Sequence, residues 1–98
     1  MVKHIILWQL KDELTQKENI KKQIKSGLED LKGKIDGLVD IKVNINPLPS
    51  SNCDLMLEST FVSEQALKDY AVHPLHVSVA DTKVRPFAKS RVCLDFEE

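Results

Sequence analysis

The sequence has little of several things, and each scarcity excludes a class of protein. It contains only two cysteines, Cys53 and Cys93, and their separation matches no metal or redox motif. We therefore expect reduced thiols, as in cytoplasmic proteins, and not a disulfide framework. Long hydrophobic runs are also missing, since the apolar stretch at residues 5–8 is too short for a signal-peptide core or a membrane span. The chain is predicted to be a soluble, cytoplasmic protein with no membrane partner.

Charge of one sign is not in excess either. Fourteen Lys and Arg residues face fifteen Asp and Glu residues, giving a net charge of −1, and aromatic residues make up only 5% of the chain. Without a basic stripe interleaved with aromatics, we expect no nucleic-acid partner. The chain also lacks a glycine-rich phosphate loop and a G-x-S-x-G motif, so neither nucleotide-dependent nor serine-triad chemistry is expected. No cofactor is predicted.

What the sequence does have is enough apolar material for one small core. With 98 residues, 42% of them hydrophobic, it is predicted to form a single domain over residues 1–98. A chain of this size buries only about 60–65% of the surface that it exposes when unfolded. Help from a partner subunit is therefore expected.

Apolar runs and alternation predict four strands, at residues 2–10, 39–46, 54–61 and 91–96. In the first strand one face carries Val2, His4, Ile6, Trp8 and Leu10. The other face carries Ile5 and Leu7, so this strand is expected to be covered on both sides. In the second strand, Val39 is predicted to lie on the buried face with Ile41.

The segments between the strands carry helix signals. Apolar residues at steps of three and four predict a helix over residues 16–31, opened by a capping box of Thr15 and Glu18. A second helix is predicted from residue 64 to about residue 72, with Ser63 as its N-cap. Pro74 cannot continue that helix, but it can begin another one with His73 near the cap.

The order β-α-β-β-α-β predicts an α+β, ferredoxin-like fold, in which a four-stranded antiparallel sheet carries its helices on one face. The second face of such a sheet must also be hidden from water, because side chains such as Leu7, Met56 and Val92 would otherwise be exposed. We therefore expect a homodimer in which two sheets pack against each other.

Two of the three histidines lie in one short stretch, DYAVHPLH, at residues 69–76. His76 could act as a general base, and the phenol of Tyr70 could donate a hydrogen bond to a carbonyl that gains enolate character. The structural alternatives are that His73 caps the helix after Pro74 and that Tyr70 is a core aromatic. Likewise, His4 is either a pocket residue or a satisfied core histidine, and His76 is either a pocket residue or a structural hydrogen-bonding residue. His73 and His76 are spaced for chelation, but Pro74 interrupts the helix and no cysteine or carboxylate is spaced to complete a set, so no metal site is predicted.

Three parts of the chain resemble the stress-responsive A/B barrel domain (Dabb) family. They are KHIILWQLKDE, LMLESTFVSEQALKDYAVHPLH and the closing Asp95-Phe96, and the Y-x-x-H-P-x-H motif together with His4 is the most specific part. The resemblance implies a dimeric α+β barrel. It also implies a relation to a plant polyketide cyclase, olivetolic acid cyclase, whose catalytic pair corresponds to Tyr70 and His76 and whose first-strand pocket histidine corresponds to His4. Leu55 stands where that cyclase has a further pocket histidine.

The predicted ligand pocket consists of one residue set: His4, Trp8, Leu55, Tyr70, His73 and His76, with His76 and Tyr70 as the catalytic candidates. Three functions remain open. The protein is a homodimer that binds a small apolar or aromatic ligand, or a cofactor-independent cyclase, aldol-type lyase or monooxygenase-like enzyme, or a structural, stress-protective oligomer. A cavity lined by His4, Tyr70 and His76 favours the first two, whereas a filled core there favours the third.

Overall fold

The computed structural model describes residues 1–98 and confirms the predicted order of elements. The strands are β1 (Val2–Leu10), β2 (Leu38–Asn44), β3 (Leu55–Phe61) and β4 (Ala88–Glu97), and the helices are α1 (Lys17–Glu29), α2 (Glu64–Val72) and α3 (Pro74–Val79). Helix α3 continues into a π-helical segment, Ala80–Val84. The strands form one antiparallel sheet in the order β2-β3-β1-β4, which is the ferredoxin-like arrangement.

The helices cover one face of the sheet, called here the inner face. Alternate residues of β1, from Val2 to Leu10, are buried there, and His4 and Trp8 are among them. Strand β3 adds Leu57 and Phe61 to the same core. The helices contribute Ile24, Leu28 and Tyr70. This core explains the three-and-four spacing of apolar residues in α1 and the alternation in the strands.

The opposite, outer face of the sheet is apolar along β4. Val92, Leu94 and Phe96 are 58%, 63% and 41% exposed there, while Ile5 and Leu7 of β1 are partly buried. No helix of the chain lies on this face, so an isolated subunit leaves it in contact with water.

Three predicted details are wrong. Helix α1 begins at Lys17 with Gln16 as its N-cap and without a side-chain capping bond, so the Thr15 capping box does not form. Val39 is 41% exposed, because a register shift between Leu38 and Asp40 turns its side chain away from the core. Strand β4 begins at Ala88 and not at residue 91, since its pairing with β1 extends to Leu10.

The junction between α2 and α3 forms as its sequence predicts. The Ser63 hydroxyl accepts a hydrogen bond from the Ala66 N–H at 3.1 Å and caps α2. At the other end, His73 has an extended backbone, and its Nδ1 accepts the Leu75 N–H at 3.1 Å. Pro74 occupies the first turn of α3, where its missing N–H has no intrahelical partner to lose.

Gly37 fixes the distance between the turn before β2 and helix α2. Its φ angle is +84°, in the left-handed region that favours glycine. A Cβ atom at this position would lie 2.6 Å from the Cβ of Ala66, too close for any side chain without displacement of α2.

None of the helices combines the length and the apolar composition that crossing a membrane requires.

Candidate functional site

A mostly apolar cavity of about 170 Å³ lies between the inner face of the sheet and the helices α2 and α3. Its titratable lining residues are His4, Tyr70, His76, Arg85 and Arg91. Strand β1 supplies His4 and β4 supplies Arg91. Tyr70 lies on α2, His76 lies on α3, and Arg85 directly follows the π-helical segment. The fold therefore brings together residues that are far apart in the sequence.

Tyr70 is the most deeply buried member of this group. Its side chain is 1% exposed, and its hydroxyl has no hydrogen-bond partner within the protein. Burial raises the pKa of the phenol well above its usual range. The hydroxyl therefore keeps its proton at neutral pH and is available as a hydrogen-bond donor.

His76 lies against the ring of Tyr70, with the two ring centroids 4.2 Å apart and the planes tilted by 36°. Its Nδ1 lies 3.2 Å from the Ala71 carbonyl oxygen. A carbonyl oxygen only accepts, so Nδ1 carries the proton and Nε2 keeps a lone pair. Burial lowers the pKa of His76 against the opposing effect of the Ala71 carbonyl, and Arg85, His4 and Arg91 lower it further. The imidazole is therefore a neutral base at pH 7.

His4 reaches the same region from the sheet. It is 7% exposed, and its ring lies edge-on to that of Tyr70 with the centroids 6.3 Å apart. Its Nδ1 hydrogen bonds to the Asp95 carboxylate on the neighbouring strand β4. Because an ionised carboxylate only accepts, the proton lies on Nδ1.

Cys93 lies beside this pair. Its Sγ is 3.7 Å from His4 Nδ1 and 3.5 Å from Asp95 Oδ1. Burial and the Asp95 carboxylate raise the pKa of the thiol, so it is protonated at neutral pH. Moreover, the thiol and the carboxylate approach the same ring nitrogen, whereas a nucleophilic triad needs them on opposite nitrogens. These residues are not a cysteine triad.

The predicted pocket residues divide into two groups. His4, Trp8, Tyr70 and His76 line the cavity. Leu55, 2% exposed, is a core residue that lines a separate groove next to the loop between β2 and β3. His73 caps α3 with its Nδ1 and does not line the cavity. The imidazole of His73 is therefore directed to backbone, while that of His76 is directed to the cavity region.

The sequence prediction missed the contribution of β4, namely Arg91, Cys93 and Asp95. Their signal was the alternation of the last strand, in which these three residues share one face. Antiparallel pairing places Asp95 opposite His4 and Arg91 opposite Trp8. A groove of about 640 Å³ runs between α2 and β4 and shares His4, Leu67, Ala71 and Arg91 with the cavity. The two spaces are therefore adjacent.

Comparison with known proteins identifies the family. Over residues 2–98 the sequence matches the stress-responsive A/B barrel domain, Dabb. The chain belongs to this family. No curated protein matches the sequence.

Solved structures of similar proteins agree with the Dabb fold. A dimeric protein of unknown function with a ferredoxin-like fold, from Bacteroides fragilis, is 32% identical, with 99% of this chain and 95% of that chain covered and a TM-score of 0.92. A dimeric ferredoxin-like protein from Thermobifida fusca is 22% identical (99% and 90% covered, TM-score 0.85). The hydroxynitrile lyase from Passiflora edulis is 21% identical (97% and 90% covered, TM-score 0.79).

Proposed function

We propose that this Dabb domain binds a small apolar or aromatic carbonyl compound in the inner-face cavity and promotes proton transfer next to the carbonyl group, without a cofactor. His76 acts as the general base, and Tyr70 donates a hydrogen bond to the carbonyl oxygen. The observation that carries this proposal is the Tyr70 hydroxyl, which is buried beside His76 without a partner.

A buried hydroxyl without a hydrogen-bond partner destabilises a folded protein. Leaving such a group without a hydrogen bond costs about 1–3 kcal/mol of stability. A phenylalanine would fill the same space without that cost. A ligand oxygen that accepts a hydrogen bond from the Tyr70 hydroxyl gives a reason for a tyrosine at this position.

The two groups are complementary in one reaction. Nε2 of His76 takes a proton from the carbon next to the carbonyl, and the electron pair of that C–H bond becomes the double bond of an enolate. The negative charge then develops on the carbonyl oxygen, where the Tyr70 hydroxyl donates its hydrogen bond. Because Ala71 holds the Nδ1 proton of His76, Nε2 remains the basic nitrogen.

Size and lining restrict the ligand. A cavity of about 150 Å³ with an apolar lining accommodates benzene in other proteins. The cavity of this protein, about 170 Å³, therefore suits one aromatic ring or a short branched chain. A longer substituent would lie in the adjacent groove between α2 and β4.

Two relations support an enzyme of this kind. A protein with the same fold is the Passiflora hydroxynitrile lyase, so the fold accommodates catalysis. The resemblance of the Tyr70-x-x-His73-Pro74-x-His76 motif to that of olivetolic acid cyclase favours an aldol-type cyclisation after the proton transfer. Leu55, in place of a pocket histidine, argues for a substrate different from that of the cyclase.

The functional unit in this proposal is a homodimer. The outer-face residues Val92, Leu94 and Phe96 are apolar and exposed, and similar solved proteins are described as dimeric. Packing two outer faces together would remove these side chains from water and close the barrel.

The experiment is hydrogen–deuterium exchange of a methyl ketone that bears one aromatic ring, followed by NMR in D₂O. We expect the protein to accelerate exchange, and His76→Ala to lower that acceleration by about 10²–10⁴-fold. Tyr70→Phe should lower it as well, without lowering the free energy of unfolding. His73→Ala, in the same motif but outside the cavity, is the matched control.

The pH profile provides a second readout. Since burial and the charges of Arg85 and Arg91 lower the pKa of His76, exchange should be constant above pH 6.5 and fall only at lower pH, where the base becomes protonated. If the ketone binds and exchanges equally with the wild type and with both site variants, the residues are structural and the proposal is wrong.

A further inference from the structure

Strands β1 and β4 bring three potential metal ligands together at the open edge of the sheet. His4 and Asp95 are direct cross-strand partners, and Cys93 lies two residues before Asp95 on the same face. One ligand atom from each residue lies within 4.8 Å of the others. Spacing along the chain does not reveal this group, because strand pairing assembles it from the two ends of the sequence.

The distances within the group are close to those of a tetrahedral zinc site. Bonds of about 2.0–2.3 Å to nitrogen, oxygen and sulfur place the ligand atoms roughly 3.4–3.6 Å apart. The Sγ of Cys93 already lies 3.7 Å from His4 Nδ1 and 3.5 Å from Asp95 Oδ1. Only the hydrogen-bonded pair of His4 and Asp95 must separate, and the Asp95 side chain is 45% exposed and has room to turn.

We infer that His4, Cys93 and Asp95 bind one zinc ion, with the fourth coordination position open to the groove between α2 and β4. Three protein ligands and one open position are the arrangement of catalytic zinc sites, in which water or a substrate atom completes the tetrahedron. The site stands apart from the proton transfer proposed above, because neither Tyr70 nor His76 is a ligand.

Proton balance follows from the hydrogen bonds at the site. The ion takes the place of the Nδ1 proton between His4 and Asp95, and that proton moves to Nε2, so the imidazole remains neutral. The thiol of Cys93 releases one proton to solvent and binds as the thiolate. Zinc binding should therefore release about one proton per site and weaken as the pH falls.

The ligand set favours a borderline-soft divalent cation. A thiolate and an imidazole suit Zn²⁺ or Co²⁺, whereas Mg²⁺ and Ca²⁺ prefer oxygen ligands only. Apart from the ligand Asp95, the groove is lined by two carboxylates, from Glu64 and Glu97, and by two cationic side chains, Lys68 and Arg91. The surrounding charges therefore balance, and no net positive charge opposes the entry of a cation.

The test measures metal binding to the whole chain, without any carbonyl ligand. Zinc affinity is determined by competition with a chromogenic chelator, and bound metal is counted by mass spectrometry. We expect one Zn²⁺ per chain, and a loss of affinity of at least about tenfold in both Cys93→Ser and Asp95→Asn. Both residues are exposed, so these variants should fold, and a circular dichroism spectrum checks this.

Cobalt identifies the ligands directly. Co²⁺ bound to the wild type should give a thiolate-to-metal charge-transfer band that persists in Cys53→Ser, the matched control, and disappears in Cys93→Ser. Mg²⁺ should not displace it. The inference is overturned if wild-type zinc affinity equals that of Cys93→Ser, or if the band depends on Cys53. Failure of ketone exchange leaves these outcomes unaffected, so the two proposals are tested separately.

Discussion

The two edges of the sheet differ in what covers them. At the β2 edge, Ile41 and Val43 are 4% and 0% exposed beneath the helices. The outward backbone groups of Val43 are also occupied, since Glu29 accepts its N–H at 2.9 Å and Lys25 donates to its carbonyl at 2.8 Å. At the β4 edge, every residue of the strand after Ala88 is exposed, and the inner face carries ionisable groups.

The β2 edge therefore contributes mainly to stability, whereas the β4 edge carries the ionisable side chains. The β2 edge holds buried aliphatic side chains, and the outward backbone groups of Val43 are hydrogen-bonded. The β4 edge exposes Arg91, Cys93 and Asp95 to a groove that leads to Tyr70 and His76. Substitutions at the β2 edge should therefore lower the free energy of unfolding, and substitutions at the β4 edge should leave it nearly unchanged.

The largest expected effect is a loss of stability at the β2 edge, where α1 packs against the sheet. Ile24 on α1 is 1% exposed, and Ile24→Ala should lower the free energy of unfolding by about 2–5 kcal/mol, because the cavity left behind cannot fully collapse. Arg91→Ala at the open edge should change it by only about 0.5 kcal/mol. Urea titration at one fixed protein concentration measures both. Equal losses of unfolding free energy in the two variants would contradict the proposed difference between the two edges.

The next effect concerns the outer face of the open edge. Leu94→Lys places a charge in the centre of the apolar stripe of β4 and should raise the dissociation constant of the dimer by at least about tenfold, or 1.4 kcal/mol. Sedimentation velocity across a concentration series measures this. Leu48→Lys, at a loop leucine that is 73% exposed, is the matched control and should leave the dimer intact. An unchanged dimer in both variants would place the interface elsewhere.

A smaller effect is expected at the bonds that protect the β2 edge. Burial alone would raise the pKa of Glu29, but hydrogen bonds from Lys25 and the Val43 N–H outweigh it, and the pKa lies below its usual 4.5. Ionised Glu29 therefore stabilises the folded state above pH 4.5, and this contribution is lost as the pH falls through the lowered value. Glu29→Gln should cost about 1 kcal/mol at pH 7 and less at pH 3.

The control for that measurement is Glu18→Gln. Glu18 is on the same helix, but its carboxylate is 74% exposed and meets only Lys21 at 3.5 Å. Its substitution should have little effect at either pH. A loss in Glu29→Gln that does not diminish with acid would exclude the carboxylate as the source.

The fold could be predicted because its signals are local. The alternation in β3 and the three-and-four spacing in α1 each follow from which face is buried, and Ser63 and Pro74 mark the ends of helices directly. The bulge at Val39 could not be predicted, since register depends on the partner strand. The group formed by His4, Cys93 and Asp95 could not be predicted for the same reason, because the pairing of β1 with β4 brings these residues together.

The two histidines of the motif at residues 69–76 have different roles in the structure, and the sequence could not predict which histidine has which role. The sequence does not distinguish the two imidazoles, yet His73 caps a helix and His76 lies against Tyr70. Which of them meets the cavity depends on the rotation of α3 relative to the sheet, and this rotation is a property of packing.

Gly37 has a consequence for the shape of the inner-face cavity. Its missing side chain lets Ala66 approach, and Tyr70 follows Ala66 by one helical turn on the same face of α2. The depth of the phenol above the sheet is therefore set by a residue in a distant turn. Exchange of Gly37 for a larger residue should displace α2 and with it Tyr70, so the shape of the cavity depends on a residue that does not line it.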